Sequence, residues 1–151
     1  MKKVTIYTDG GSRGNPGIGG WGVVLFLDNK KFELSGFSEN TTNNIMELTA
    51  AIEGLQFLSN LPEFKTNSFE IELYTDSKYL RNGITSWINN WKKNGWKTAN
   101  KKPIKNKELW QELDKFNQEF DISWHWVKGH SDNEYNNRAD ELCNIAMDNR
   151  E

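Results

Sequence analysis

Hydrophobic and polar positions fall into strand-like and helix-like runs along the chain. Residues 2–9, KKVTIYTD, are rich in β-branched and aromatic side chains and predict a first strand. Residues 21–28, WGVVLFLD, form a nearly unbroken apolar run, the pattern of a strand buried on both faces. After the turn-forming DNKK, residues 31–38 alternate Phe32 and Leu34, with Phe37 one step out of phase beside Gly36. These three strands predict an antiparallel meander. A helix follows, because Ile45, Leu48, Ile52 and Leu55 recur at helical spacing behind the cap candidates of TTNN, residues 41–44. LPEF, residues 61–64, ends it. Residues 69–76, FEIELYTD, alternate again, and residues 122–127, ISWHWV, predict the last strand. Two or more short helices fill residues 78–120, and Ala139, Leu142, Cys143 and Ala146 mark a C-terminal helix. The order β-β-β-α-β-α-β-α is that of an α/β chain: a five-stranded mixed sheet, three antiparallel strands then parallel additions, flanked by helices.

Composition narrows this to one domain. The 151 residues suit a single core, no linker or repeat interrupts them, and an aromatic content of 13% is foreign to disordered chains. A net charge of -2 excludes a uniformly basic nucleic-acid binder and shifts attention to where charge sits. The one cysteine, Cys143, excludes an intrachain disulfide and reads as a small core residue beside Leu142 and Ala146. No apolar run reaches the length of about 18 residues that a membrane span needs, and the N-terminus lacks a signal-peptide pattern. A cytoplasmic monomer is the expectation.

Candidate chemistry begins with four acids. The first and fourth strands both end in YTD, at Asp9 and Asp76. A strand–helix–strand crossover makes such strands parallel, so both aspartates belong at the carboxyl edge of the sheet, where ligands of open α/β sheets bind. Side by side they repel unless a cation or a proton intervenes. Each could instead simply cap the element that follows. Glu47 heads a helical line of Ala51, Gly54 and Leu58, where a carboxylate is unfavourable without a partner. A place in the first helical turn, where the dipole favours an anion, is the competing explanation. Asp140 stands at the rim of the C-terminal helix's apolar face. An oxygen-only cluster suits a hard cation such as Mg²⁺, whereas zinc prefers Cys and His. A cluster of this size could hold two ions roughly 3.5–4 Å apart, the arrangement that clamps an in-line phosphoryl displacement.

A second region is complementary. Residues 92–107 carry seven lysines and no acid, a local footprint for a polyanion. Trp87, Trp91 and Trp96 either stack on sugars and bases or form a small aromatic core under the lysines. The glycines of residues 10–20 raise another possibility, since Gly17, Gly19 and Gly22 spell G-x-G-x-x-G. That fingerprint binds a dinucleotide only where it follows a strand and opens a helix. Here it leads into VVLFL, so no nucleotide cofactor is expected. The glycines are read instead as a loop of bare backbone beside Asp9, with Asn15 at its tip, that lets a nucleic-acid strand come close.

YTDGGSRGNPGIGG, TTNNIMELTAAIEGL, YTDSKYLRNGITSWINNWKKNGWKT and WVKGHSDNEYNNRADELC together resemble bacterial ribonuclease H of the first type, the endonuclease that cuts the RNA strand of RNA–DNA hybrids. The resemblance spans nearly the whole chain. It implies the ribonuclease H-like fold, with Asp9, Glu47, Asp76 and Asp140 holding two Mg²⁺ ions (Mn²⁺ substituting) and cleavage that leaves a 5′-phosphate and a 3′-hydroxyl. It implies that His130, in the loop before the last helix, helps the leaving group depart. Asn15, Asn43 and Asn44 match positions that contact the hybrid in the minor groove, where the 2′-hydroxyl distinguishes RNA. Thr42 and Asn106 match a pocket for a DNA-strand phosphate. Tyr79, Trp87 and Thr98 match the DNA-strand channel, and the lysine arm, including Lys92, Lys93, Lys101 and Lys102, matches the basic protrusion around residues 87–107. The chain departs from the family at Asp132, where Gly is frequent, and at Asn137, where Glu is frequent. With no N-terminal hybrid-binding module, processivity is expected to come from this domain alone. Two alternatives stand beside this reading: a DNA-processing nuclease of the same fold, and a silent nucleic-acid-binding module whose acids are structural.

Overall fold

A computed structural model describes residues 2–65, 68–129 and 133–149. Strands β1 (Lys2–Ser12), β2 (Gly17–Leu27) and β3 (Lys30–Thr41) form the expected antiparallel meander. β4 (Phe69–Thr75) then pairs parallel to β1, and β5 (Asp121–Trp126) parallel to β4, giving the sheet order β3-β2-β1-β4-β5. Helix α1 (Asn43–Ser59) makes the crossover from β3 to β4, followed by a short 3-10 turn, Pro62–Lys65. Past β4 come α2 (Lys78–Asn82), a wide π turn (Gly83–Trp87) and α3 (Ile88–Lys93). An irregular arm leads to α4 (Lys107–Glu119), and α5 (Glu134–Asp148) follows β5.

The sheet has two covered faces, which accounts for the apolar run of β2. Val23, Leu25 and Leu27 join Val4 and Ile6 of β1 and Ile71 and Leu73 of β4 against Leu48, Ala51 and Leu55 of α1 and Trp110 and Leu113 of α4. On the opposite face Val24 packs with Ala139 and Leu142 of α5, rimmed by Tyr7, Phe26 and Tyr135. Each such aliphatic side chain contributes about 1.5–3 kcal/mol by leaving water. The two helices carrying Glu47 and Asp140 are thereby clamped to opposite faces of the strand pair carrying Asp9.

The glycine segment differs from expectation. It is mostly strand: β1 runs on to Ser12 and β2 starts at Gly17, leaving only a tight turn between them. The physical reason is helix contact. A Cβ on Gly10 would lie 2.3 Å from the backbone of Met46 in α1, one on Gly20 would lie 2.5 Å from the Cys143 carbonyl oxygen, and one on Gly22 would lie 2.2 Å from the Ala139 carbonyl oxygen in α5. The bare backbone at Gly10, Gly20 and Gly22 is therefore occupied by helices rather than left open for a nucleic-acid strand, whereas a Cβ on Gly11 would meet nothing closer than Asn43 Oδ1 at 3.7 Å. Gly14, in the turn with φ of +127°, is the position where glycine's conformational freedom is needed.

Candidate active site

The parallel register fixes the first two acids. Thr8 stands opposite Thr75, so Asp9 and Asp76 are neighbours one step further on. Asp9 is buried within β1, opposite Gly22 of β2, and caps nothing. The cap of α2 is Ser77, whose Oγ accepts the Leu80 N–H at 3.0 Å, so Asp76 is not a cap either.

Glu47 reaches the pair from α1, where Ala51, Gly54 and Leu58 on its line are all buried. It does not lie in the first helical turn, as the dipole explanation required. α1 starts at Asn43 behind the Thr42 cap, whose hydroxyl accepts the Ile45 N–H at 3.2 Å, and its first turn holds no acid. The Glu47 carboxylate instead accepts a hydrogen bond from the Gly10 N–H of β1. Gly10 thus does two things: its missing Cβ lets α1 settle onto β1, and its N–H orients Glu47 beside Asp9. Gly20 and Gly22 let α5 settle in the same way, which brings Asp140 to the same place.

Carboxylate oxygens of Asp9, Glu47 and Asp76 all lie within 4.8 Å of one another. Asp140 lines the same open cleft of about 350 Å³, together with Asn43, Asn44 and Ser77. Burial, then repulsion from Glu47 and Asp76, pushes the Asp9 carboxyl far above the usual carboxylate range, and Asp140 adds to the rise. Burial, then Asp76, raises Glu47 as well, against the lowering effect of Asp9 and then of the Gly10 N–H and the Ser77 side chain. Such a site takes up either protons or a cation. Its ligand set is oxygen only, the donor chemistry of a hard divalent ion. Cys143 lies nearby but is buried, donates its S–H to the Gly20 carbonyl at 3.0 Å and is pushed up to about 12 by burial and then by Asp9 and Asp140. It is no ligand.

The other expected residues surround the cleft. Asn43 Oδ1 accepts from Ser12 N at 2.6 Å, while Asn15 Oδ1 accepts the Asn43 N–H at 3.3 Å, so the β1–β2 turn and the start of α1 are tied together. Asn44 is exposed beside them. Tyr79 Oη accepts from both Asn106 Nδ2 and Trp110 Nε1 at 3.1 Å, which holds Asn106 in its left-handed conformation at the foot of α4. Tyr79 and Trp87 meet edge to face at 5.7 Å between ring centroids, and Trp87 is exposed. Trp91 and Trp96 are half-buried against the core, which resolves the choice between stacking platform and aromatic core toward core for these two. Thr98 closes the tip of the arm: its hydroxyl accepts the Lys102 N–H at 3.1 Å and its N–H meets the Lys102 carbonyl at 2.8 Å. Lys92, Lys93, Lys101 and Lys102 are all exposed, and Lys92 Nζ lies 3.0 Å from Asp114 Oδ2. His130 and Asp132 lie outside the described residues; Asn137 is an exposed residue of α5.

Three participants escaped the sequence reading. Ser77 lines the cleft, and the only hint was its place after YTD as a helix cap. Trp126 Nε1 donates to the Asp76 carbonyl at 2.9 Å, and Gly129 abuts the Asp76 carboxylate, where a Cβ would come within 2.8 Å. Nothing in the local pattern of β5 announces these contacts.

Comparison with known proteins gives concordant results. The model of the RNase H family matches residues 1–148. Ribonuclease H of Ruthia magnifica subsp. Calyptogena magnifica is 55% identical over 148 residues, covering 98% of this chain and 97% of that protein. The crystal structure of LC9-RNase H1, a type 1 RNase H with the type 2 active-site motif, superposes with a TM-score of 0.86 at 29% identity, over 98% of this chain and 73% of that one. That of LC11-RNase H1 in complex with RNA/DNA hybrid superposes with a TM-score of 0.72 at 30% identity, over 96% of each chain.

Proposed function

Because the chain belongs to the RNase H family, we propose that its carboxylate cleft hydrolyses phosphodiester bonds of the RNA strand in RNA–DNA hybrids, as a metal-dependent endonuclease that leaves 5′-phosphate and 3′-hydroxyl ends. The observation that carries this is the convergence of Asp9, Glu47 and Asp76 oxygens within 4.8 Å, with Asp9 and Glu47 buried. With Asp140 they would hold two Mg²⁺, for which Mn²⁺ would substitute. Bound there, the cations supply Lewis acidity for attack of water on the phosphate and departure of the 3′ oxygen.

The chain's own residues do the rest. The Gly10 N–H holds Glu47 in place, and the Trp126 N–H steadies the backbone at Asp76. Asn15, Asn43 and Asn44 flank the cleft on the α1 side, suited to reading the 2′-hydroxyls of the RNA strand. Thr42 and Asn106 bind a DNA-strand phosphate, Tyr79, Trp87 and Thr98 line the DNA channel, and Lys93, Lys101 and Lys102 contact the backbone. His130 assists the leaving group. The chain acts as one catalytic domain with its basic protrusion at residues 87–107, as a cytoplasmic monomer. No helix among the described residues is long and apolar enough to cross a membrane.

The test is cleavage of end-labelled hybrid, duplex DNA and duplex RNA with Mg²⁺, Mn²⁺ or chelator. Cutting of the RNA strand of the hybrid alone, abolished by chelator, is expected. Cutting of duplex DNA instead would point to a DNA-processing nuclease, and no metal-dependent cutting would leave a binding module.

A further inference from the structure

We propose that Lys92 is a positioning residue, which fixes the root of the basic arm through Asp114 rather than touching a phosphate; this rests on the hybrid-nuclease reading above. Asp114 is an acid in the middle of α4 with a side chain only 13% exposed. Its Oδ2 receives Lys92 Nζ at 3.0 Å and Gln118 Nε2 at 2.9 Å. The Lys92 side chain is 39% exposed, so the pair is enclosed on the carboxylate side alone, and removing Lys92 leaves the enclosed Asp114 charge with only Gln118 as a partner.

Lys92 stands in the last turn of α3, where the arm departs. Its neighbour Trp91 packs edge-on against the fully buried Trp110 of α4, with ring centroids 5.4 Å apart. Successive side chains therefore fasten α3 to α4 by one apolar and one ionic contact. The returning end of the arm is tied to the same helix by Asn106 and Trp110, both donating to Tyr79. Among the described residues, Lys93, Lys97, Lys101 and Lys102 form no ion pair. These cations are free to displace counterions from a nucleic acid. An ammonium already neutralised by Asp114 releases none, and so adds nothing to the salt dependence of binding.

The two roles predict opposite signs at Asp114. If Lys92 were a phosphate ligand, removing a nearby acid would free it and strengthen hybrid binding. If Lys92 positions the arm, removing its anchor weakens binding. The experiment measures hybrid affinity across salt concentrations for Lys92→Met, Lys92→Arg, Asp114→Asn and Lys97→Met, all in an Asp9→Asn background that prevents cleavage. Trypsin nicking within residues 97–105 is followed on the same proteins without hybrid. Lys92→Met and Asp114→Asn are expected to weaken binding several-fold with the salt slope unchanged and to speed nicking. Lys92→Arg restores both properties, and Lys97→Met flattens the slope by about one unit. Tighter binding in Asp114→Asn, a flatter slope in Lys92→Met, or unchanged nicking in both would overturn the proposal. Failure of the Asp9→Asn parent to bind hybrid at all would instead sink the functional reading, with the nicking rates still testing the anchor.

Discussion

Asp9 is held where water cannot solvate it and where Glu47 and Asp76 repel its charge. Without a cation, its folded-state affinity for a proton lies above that of the unfolded chain, whose carboxylates titrate near pH 4. The native state then binds more protons than the unfolded state above that pH, so stability falls as pH rises. Glu47 adds to the effect in the same direction. The metal-free protein is expected to lose melting temperature between pH 5 and pH 8, and Mg²⁺ to restore more of it at pH 8 than at pH 5. Thermal scans with and without chelator check this; a metal-free melting temperature that climbs over that range would contradict the burial of charge at Asp9. Asp9→Asn removes, at nearly constant shape, a carboxyl that must take up a proton to stay buried without a cation. It should abolish cleavage yet stabilise the metal-free protein by about 1–3 kcal/mol at neutral pH, readable as a shifted denaturant midpoint.

Between elements, the decisive contacts are those of helices on glycines. α5 reaches β2 only because Gly22 has no side chain: a Cβ there would stand 2.2 Å from the Ala139 carbonyl, and Asp140 is the next residue along. Gly22→Ala must push the helix away from the sheet. We expect destabilisation of about 3 kcal/mol, at the upper end for overpacking because the obstruction is backbone, together with weaker Mg²⁺ binding by calorimetry. Gly54→Ala is the contrast. Its Cβ would meet a Val23 methyl at 3.2 Å, and the gain in helix propensity offsets the crowding, so stability should stay within about 1 kcal/mol of the parent. These positions also mark how far the sequence could be read. The meander and the meeting of Asp9 with Asp76 were legible because alternation and the strand–helix–strand crossover are local rules with global consequences. Glu47 was legible as an acid on an apolar line. The glycine segment was misjudged as an open loop, because what covers these glycines comes from residues 27 to 123 positions away in the chain, from Met46 over Gly19 to Cys143 over Gly20, and leaves no periodicity. Lys92 looked like any other lysine of the arm for the same reason: its partner, Asp114, lies beyond the arm in the middle of α4.

For the molecule as a whole, charge is segregated rather than abundant. The chain carries 19 basic against 21 acidic residues, yet it must hold a polyanion. The cleft of Asp9, Glu47, Asp76 and Asp140 repels phosphate until cations fill it, while the exposed lysines of the arm attract phosphate at all times. Binding by the arm and engagement of the cleft are thus separable. Neutralising Lys93, Lys101 and Lys102 together should flatten the salt dependence of hybrid binding by about 2–3 units, since each lost phosphate contact removes nearly one. KM should rise while kcat at saturating hybrid stays close to that of the parent, because no acid of the cleft moves. The metal acts on the other half. In chelator the acids of the wild-type cleft have no counter-cation, and hybrid affinity should fall. The wild-type Asp9 then holds a proton that it gives up as pH rises, whereas Asp9→Asn has none to lose, so in chelator the hybrid affinity of Asp9→Asn should fall less with rising pH than that of wild type, though the variant cannot cut. Equal pH dependence of the two proteins in chelator, measured by fluorescence anisotropy, would mean that the phosphate backbone does not pass over Asp9.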